Sequence, residues 1–347
     1  MNFRNQANHP RQKLYSAVPK ISVIMPTFNG AQFLQDTLQS IRTQKQPVSE
    51  LIISDDDSED ETLDIARQFA NTAPFEVKLL NHQRQGVTAN YLHALKHASG
   101  ELIFVADQDD VWLPEKTSVV TSAFENDRVQ LVSHDCTLVS RSLEPLGRTL
   151  RGTPAASKRL SRRINNTNEA QNLRKFLIGG LPLLAHTLCF RKSLVPYLLA
   201  KPAEIDEWWF EEWVSCIAAT HGRVQFVPDQ LVLYRQHDMQ TSGGLGNSSE
   251  EQGQRPLNKD KYHSRIMKIR YCANLIKNGA HLQDRHTMLT EYVHFLECRQ
   301  IAIGGTRIKA LSTFCRTLIS GAYHRFANGL RSAGLDLITW VRISKQT

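Results

Sequence analysis

Gly100-Glu-Leu-Ile-Phe-Val-Ala-Asp-Gln-Asp-Asp-Val-Trp112 is the stretch on which the reading of this chain turns. Leu102, Ile103, Phe104 and Val105 form a short uninterrupted apolar run, the pattern of a strand covered on both faces. Asp107, Asp109 and Asp110 crowd just past its end. Carboxylates so close repel one another and resist desolvation, and a divalent cation relieves both costs. Hard oxygen ligands suit Mg²⁺ or Mn²⁺. Asp is also common in turns and at helix N-termini, so an acidic turn is the competing account of the same three residues.

Upstream the same pattern repeats. Ile21 to Met25 reads as a first buried strand, broken by Pro26 and the turn-forming Asn29-Gly30. Ala31, Leu34, Leu38 and Ile41 then fall at helical spacing. Leu51 to Ile53 is a second strand ending in Ser54-Asp-Asp-Asp-Ser58, followed by a helix over 60–70 for which Ser58 could serve as N-cap. Val77 to Leu80 is a third strand, and a helix runs from Gly86 to His97 before the strand that ends at Asp107. Strands alternating with helices predict an α/β fold with a parallel sheet covered on both faces. Ligands of such sheets collect at the carboxyl ends of the strands, where both acidic clusters lie.

Beyond Gln130 the pattern loosens. Leu131 to Ser133 and Thr137 to Val139 read as short strands, whereas 141–175, rich in Arg, Ser and Asn without apolar periodicity, reads as a long loop. Thr187 to Phe190 is a strand, Trp208 to Thr220 a helix, and Val224 to Val227 and Leu231 to Leu233 two further strands. Thr241 to Pro256, heavy in Gly, Ser, Gln and Asn, marks a boundary. The expected organisation is a polar tail over 1–19, a catalytic domain over 20–245 and a basic helical extension over 246–347, with Ile266, Ile269, Tyr271, Leu275 and Ile276 in one helix and Leu311, Phe314, Leu318 and Ile319 in another.

Composition narrows the function classes. The net charge of +8 resides in residues 251–347, which carry 16 Lys and Arg against 6 Asp and Glu. Such asymmetry suggests an anionic surface as partner, membrane or nucleic acid. The first nineteen residues lack a signal-peptide core, and no apolar run approaches the roughly 18 residues of a spanning helix. The six cysteines include no C-x-x-C pair, which argues against zinc or a disulfide framework and for reduced, buried thiols in a cytoplasmic protein.

Val23 to Gly30, Ile52 to Thr62 and Gly100 to Trp112 resemble, in order and spacing, the N-terminal blocks of family 2 of the inverting glycosyltransferases. The form Asp-Gln-Asp-Asp-Val-Trp, the later Leu233-Tyr-Arg-Gln-His237 and Ser242-Gly243, and the tail Ile319 to Gly329 are similar to members described as rhamnosyltransferases. The resemblance implies a GT-A fold, a Rossmann-like mixed sheet with helices on both faces, and a nucleotide-sugar donor. dTDP-rhamnose is the first expectation and a UDP-sugar the second. The acceptor would be a polysaccharide or lipid-linked glycan, and the basic C-terminal helices would rest on the inner face of the membrane, with no nucleic acid partner.

By the same resemblance Pro26, Thr27, Asn29, Asp55, Asp56 and Asp107 would contact the donor nucleotide, the aspartates as acceptors for ribose or base donors. Asp57 stands where the family usually has Gly, a place for positive φ, which Asp tolerates better than most residues. Asp107 and Asp109 would hold Mn²⁺ or Mg²⁺ with His237, while Asp110 would cap a following helix or orient Asp109. Trp112 reads as packing. The family's general base is an Asp eleven residues before a glycine; counted back from Gly222 this is Glu211, with Glu212 and Asp206 as runners-up. Arg235 and His186 would meet the diphosphate or the acceptor. Two other classes compete. A nicotinamide-dependent oxidoreductase would need G-x-G-x-x-G after the first strand, where Pro26 to Gly30 offers one glycine. A non-catalytic nucleotide-sugar-binding or nucleic-acid-binding protein would fit Glu in place of Asp and the basic tail.

Overall fold

The computed structural model describes residues 18–168, 171–173, 176, 183–200, 202, 209–238, 240, 259–279, 282–304, 307–327 and 330–343. Its first half alternates as the sequence predicts: β1 (Ile21–Thr27), α1 (Ala31–Arg42), β2 (Glu50–Asp55), α2 (Thr62–Ala70), β3 (Glu76–Asn81), α3 (Val87–Leu95) and β4 (Leu102–Val105). These four strands are parallel, in the order β3-β2-β1-β4, and every residue of β1, β2 and β4 is buried. β1 runs on through Pro26 and Thr27, which register with Ser54 and Asp55. The sheet is tied at its opposite end by Glu50, 2% exposed, whose carboxylate accepts from Ser22 Oγ, Ser99 and Lys78 Nζ. Burial alone would raise its pKa, but these partners overcome that and bring it down to about 2.

The second half makes the sheet mixed. β5 (Val111–Trp112), β6 (Val129–Val139), β7 (Pro145–Thr149), β8 (Leu188–Arg191) and β9 (Arg223–Arg235) extend it in the order β4-β8-β6-β9-β5, with β7 beside β6. β8 is antiparallel to β4 and β6, while β9 lies parallel to β6. Two pairs of expected short strands are each one long strand. β6 is interrupted in register around Asp135, and β9 passes through Pro228, so irregularities split their apolar patterns.

Residues 141–175 were expected to be a loop and are not. They contain β7 and the helix α5 (Pro154–Asn165). Thr153 caps α5, accepting from Ala156 N at 3.2 Å, and Pro154 occupies its first turn, a favourable start. Only Ser157 and Ile164 of this helix are buried. Polar side chains hold it instead: Ser157 and Ser161 donate to the carbonyls of Pro228 and Phe226, and the Asn165 amide pairs both ways with the Phe226 backbone. Asn172 does the same for Val224, at 2.9 Å in each direction.

The remaining described helices are α4 (Lys116–Ser122), α6 (Val195–Leu199), α7 (Phe210–His221), α8 (Lys259–Ile276), α9 (Gln283–Gly304), α10 (Arg307–Ile319), α11 (Ala322–Phe326) and α12 (Leu330–Ile343). The helices after residue 259 share a core with the sheet. Ile266, Ile269, Cys272, Ile276, Leu289 and Phe295 pack in one apolar cluster with Trp213, Ile217, Phe190 and Ile103. Cys216 on α7 lies 3.2 Å, sulfur to sulfur, from Cys272 on α8. Four of the six cysteines are buried as expected, but Cys298 is only half-buried and Cys315 is exposed. The expected boundary over 241–256 lies outside the described residues. Among the described residues no helix is long and apolar enough to cross a membrane.

Candidate active site

The carboxyl ends of β1, β2 and β4 meet through an exchange of backbone and side-chain hydrogen bonds. The Gln108 amide mimics a strand partner for Phe28, accepting from its N–H and donating to its carbonyl, both at 2.9 Å. A Cβ on Gly30 would lie 2.2 Å from Gln108 Oε1, so a larger residue there would displace the Gln108 amide from its pairing with Phe28. Asn29 and Asp57 both adopt positive φ, 46° and 69°, as the sequence suggests for Asp57.

The aspartates expected at the nucleotide are tightly held from within. Asp55, 1% exposed, accepts from Thr27 Oγ1 and from the N–H and Oγ of Ser58. Asp56 accepts from the N–H groups of Gln85 and Gly86 and lies 3.0 Å from His82 Nδ1, which fastens the loop before α3 over the end of β2. Ser58 is therefore not the cap of α2: Asp60 accepts from Thr62 N, while Ser58 receives the Asn29 N–H. Pro26 and Thr27 lie buried beside these groups at the end of β1.

Just past β4, Asp107, Asp110 and His186 each offer one ligand atom within 4.8 Å of the others. His186 Nδ1 lies 3.2 Å from Asp107 Oδ2 and 3.1 Å from Asp110 Oδ2. Asp110 caps no helix, because the two-residue strand β5 follows it. Its carboxylate is fully buried, with Oδ1 accepting from Arg235 N while Oδ2 makes no hydrogen bond among the described residues, despite the nearby His186 Nδ1. Burial, then the charges of Asp109 and Asp107, push its pKa well up. Burial works the same way on Asp107, but the hydrogen bond and charge of His186 and the Tyr91 hydroxyl outweigh it and leave Asp107 lowered. A buried acid oxygen that makes no hydrogen bond, beside a second acid and an imidazole, is an arrangement that could hold a divalent cation. Asp109 pairs separately with His237, Oδ2 to Nε2 at 2.9 Å, so the structure groups Asp107 with Asp110 and His186 and groups Asp109 with His237.

Two residues expected to meet the ligands are engaged within the protein. Arg235 was expected on the diphosphate, but its guanidinium is 3% exposed. It donates through Nε to Asp109 O, through Nη1 to Arg141 O and through Nη2 to Asp36 at 3.0 Å, and it lies over the Phe33 ring. It clamps the acidic loop. His186 was expected near the acceptor, and it is 1% exposed inside the acid cluster with its ring against Tyr234. Beneath the cluster Lys116, fully buried, donates to the His186 carbonyl at 2.7 Å and lies 3.7 Å over the Trp112 indole. Burial lowers the Lys116 pKa to about 7, against the pull of Asp110 and Asp107. Trp112 is packing, as expected, 2% exposed against Phe104.

Glu211 comes to this site from the first turn of α7. Phe210 stacks on Tyr91, centroids 4.5 Å apart, and the Tyr91 hydroxyl bonds Asp107. Burial, with smaller contributions from the charges of Asp107 and Glu212, raises the Glu211 pKa to about 7. Glu212, one helical step away, lies instead within electrostatic reach of Lys268 and Arg265 on α8. The glycine from which Glu211 was counted is required sterically, since a Cβ on Gly222 would meet Arg128 O at 2.4 Å. Asp206 lies outside the described residues. Tyr91, Gln108, Lys116 and Asp36 were missed as site residues, because each is tied to the site by polar contacts to residues distant in sequence, which leave no periodic trace.

Residues 22–185 match the family model described as Glycosyl transferase family 2. An uncharacterised glycosyltransferase of Nostoc is 24% identical over 235 residues, 67% of this chain and 70% of that protein. The GalNAc(5)-diNAcBac-PP-undecaprenol beta-1,3-glucosyltransferase of Campylobacter jejuni is 36% identical over 94 residues, 27% of this chain, and the chain spans 30% of that relative. The crystal structure of Staphylococcus aureus TarS 1-349 superposes with a TM-score of 0.53 at 18% identity, covering 94% of this chain and 92% of that one. The glycosyltransferase family 2 model thus matches just under half of the chain, and the mixed sheet, with its acidic site at the strand ends, has the GT-A fold.

Proposed function

We propose that the chain is a metal-assisted, inverting glycosyltransferase that moves a sugar from a nucleoside diphosphate donor to a hydroxyl of a glycan or lipid-linked acceptor. The observation that supports this best is the convergence of Glu211, Tyr91 and Asp107 beside the Asp110 and His186 cluster. An inverting transfer needs one carboxylate to take the acceptor proton as the acceptor oxygen attacks the anomeric carbon and the nucleoside diphosphate departs from the opposite face. A carboxylate whose pKa lies near 7 suits that task at neutral pH. Asp107, Asp110 and His186, with Asp109 and His237 beside them, would hold Mn²⁺ or Mg²⁺, which would supply Lewis-acid stabilisation of charge on the leaving diphosphate.

The Asp-Gln-Asp-Asp-Val-Trp form supports dTDP-rhamnose as donor, with a UDP-sugar as the alternative. The Campylobacter relative is described as acting on an undecaprenol-linked glycan, and TarS of S. aureus as a poly(ribitol-phosphate) beta-N-acetylglucosaminyltransferase. A lipid-linked acceptor would place this chain at the cytoplasmic face of a membrane. A thermal-shift screen of dTDP- and UDP-sugars with and without Mn²⁺ tests the donor class. Ligand at about 100 times its Kd should stabilise by about 2.7 kcal/mol. If no nucleotide-sugar raises the Tm in the presence of Mn²⁺, the reading fails. Glu211 in place of the family's Asp favours one second reading, a donor-binding protein without turnover. Release of nucleoside diphosphate from the bound donor would exclude it.

A further inference from the structure

Away from the active site the exposed large apolar side chains are concentrated rather than scattered. Five of the nine among the described residues lie on α10 and α12: Leu311, Ile319, Leu335, Leu337 and Ile338. On α10, Leu311, Cys315 and Ile319 recur every four residues and so share one helical face, with Ile319 86% exposed. The two helices meet there, since Leu311 and Leu337 line one crevice with Ala302, Ala310, Phe314 and Asp336.

The sequence of these two helices and of the segments joining and following them is biased to one sign of charge. Residues 301–347 carry seven Lys and Arg and a single acid, Asp336. That acid is 5% exposed, held by both Arg299 Nε at 2.6 Å and the Tyr323 hydroxyl at 2.8 Å, so it presents little negative charge to the surface. Lys309 and Arg316 are exposed on α10 beside the apolar stripe.

We propose that α10 and α12 form a seat for an anionic lipid bilayer. A bilayer surface rewards both properties at once, aliphatic side chains entering the acyl boundary and basic side chains meeting anionic headgroups. A second copy of the chain fits poorly, because a two-fold contact sets this patch against itself and so sets positive charge against positive charge. Nucleic acid would meet the basic groups but gains nothing from exposed Leu and Ile. The inference goes beyond the transfer reaction and stands or falls separately from it, since binding to vesicles needs neither donor nor acceptor.

The test is flotation of the purified full chain with vesicles of phosphatidylcholine alone and of phosphatidylcholine mixed with phosphatidylglycerol. The chain should float with the anionic vesicles and be released at about 1 M salt, where the Debye length is about 3 Å. Lys309→Gln combined with Arg316→Gln should lower the partition coefficient roughly 30-fold, at about 1 kcal/mol for each charge lost near the surface. Ile319→Glu should lower it by roughly tenfold or more. All three positions are exposed, so the variants should keep the wild-type Tm. Equal flotation with neutral vesicles would overturn the proposal, as would wild-type binding by both variants. A dimer seen by light scattering that Ile319→Glu dissociates, without vesicle binding, would assign the surface to a second copy instead.

Discussion

In β1, β2 and β4 every residue is buried, and α1 covers that part of the sheet with Phe33, Leu34, Leu38 and Ile41. By contrast, α5 covers β9 while burying only Ser157 and Ile164, and its contacts run through Ser and Asn side chains to the strand's backbone. The first region is held by transfer of apolar surface from water, which is non-directional and proportional to area. The second is held by satisfying backbone groups that would otherwise be buried without partners. Mutations should therefore fail differently in the two places.

The largest stability effect is expected in the first region. Phe104→Ala removes a fully buried ring packed on Trp112 and should cost about 3–5 kcal/mol by denaturant unfolding. A loss below 1 kcal/mol would mean that β4 is not the centre of the core. At the site between the two regions, Glu211 gives a pH signature. Its pKa is raised from 4.5 in the unfolded chain to about 7 in the fold, so between those values the native state holds the extra proton and stability falls as pH rises. Glu211→Gln lacks this loss. The variant should gain on the wild type from about pH 4.5 to 7 and keep a margin of up to about 3 kcal/mol above that. A margin independent of pH would show that Glu211 titrates normally.

In the second region the effects are smaller and specific to hydrogen bonding. Asn172→Leu leaves the Val224 N–H and carbonyl without their side-chain partner and should cost about 1–3 kcal/mol, although it adds apolar volume. Stabilisation by that change would erase the contrast between the regions. Thr153→Ala removes the α5 cap and should cost about 1 kcal/mol, measured by the same unfolding curves.

The same contrast explains what could be read in advance. Continuous apolar runs revealed β1, β2 and β4, and acids at their ends revealed Asp107 and Asp109, because burial on both faces writes itself into residue type. The helix α5 left no such trace: Arg159, Arg162 and Arg163 dilute its apolar content, and its anchors are serine hydroxyls and an asparagine amide that read as loop. β6 and β9 were each split because register shifts near Asp135 and a proline at 228 interrupt their alternation. Within the site, Glu211 came from the resemblance, which places an acid eleven residues before a glycine, here Gly222. Lys116 beneath His186 and the Arg235 clamp on the Asp109 carbonyl were not legible in advance, since each depends on residues 70 or more positions away.

The central claim is that Glu211 takes the acceptor proton, and turnover of matched variants tests it most directly. With saturating donor, acceptor and Mn²⁺, Glu211→Gln should lower the rate by roughly 10²- to 10⁴-fold while leaving donor affinity by calorimetry unchanged, and Glu212→Gln should stay close to wild type. Wild-type turnover in Glu211→Gln, or a comparable collapse confined to Glu212 or Asp206, would contradict the account.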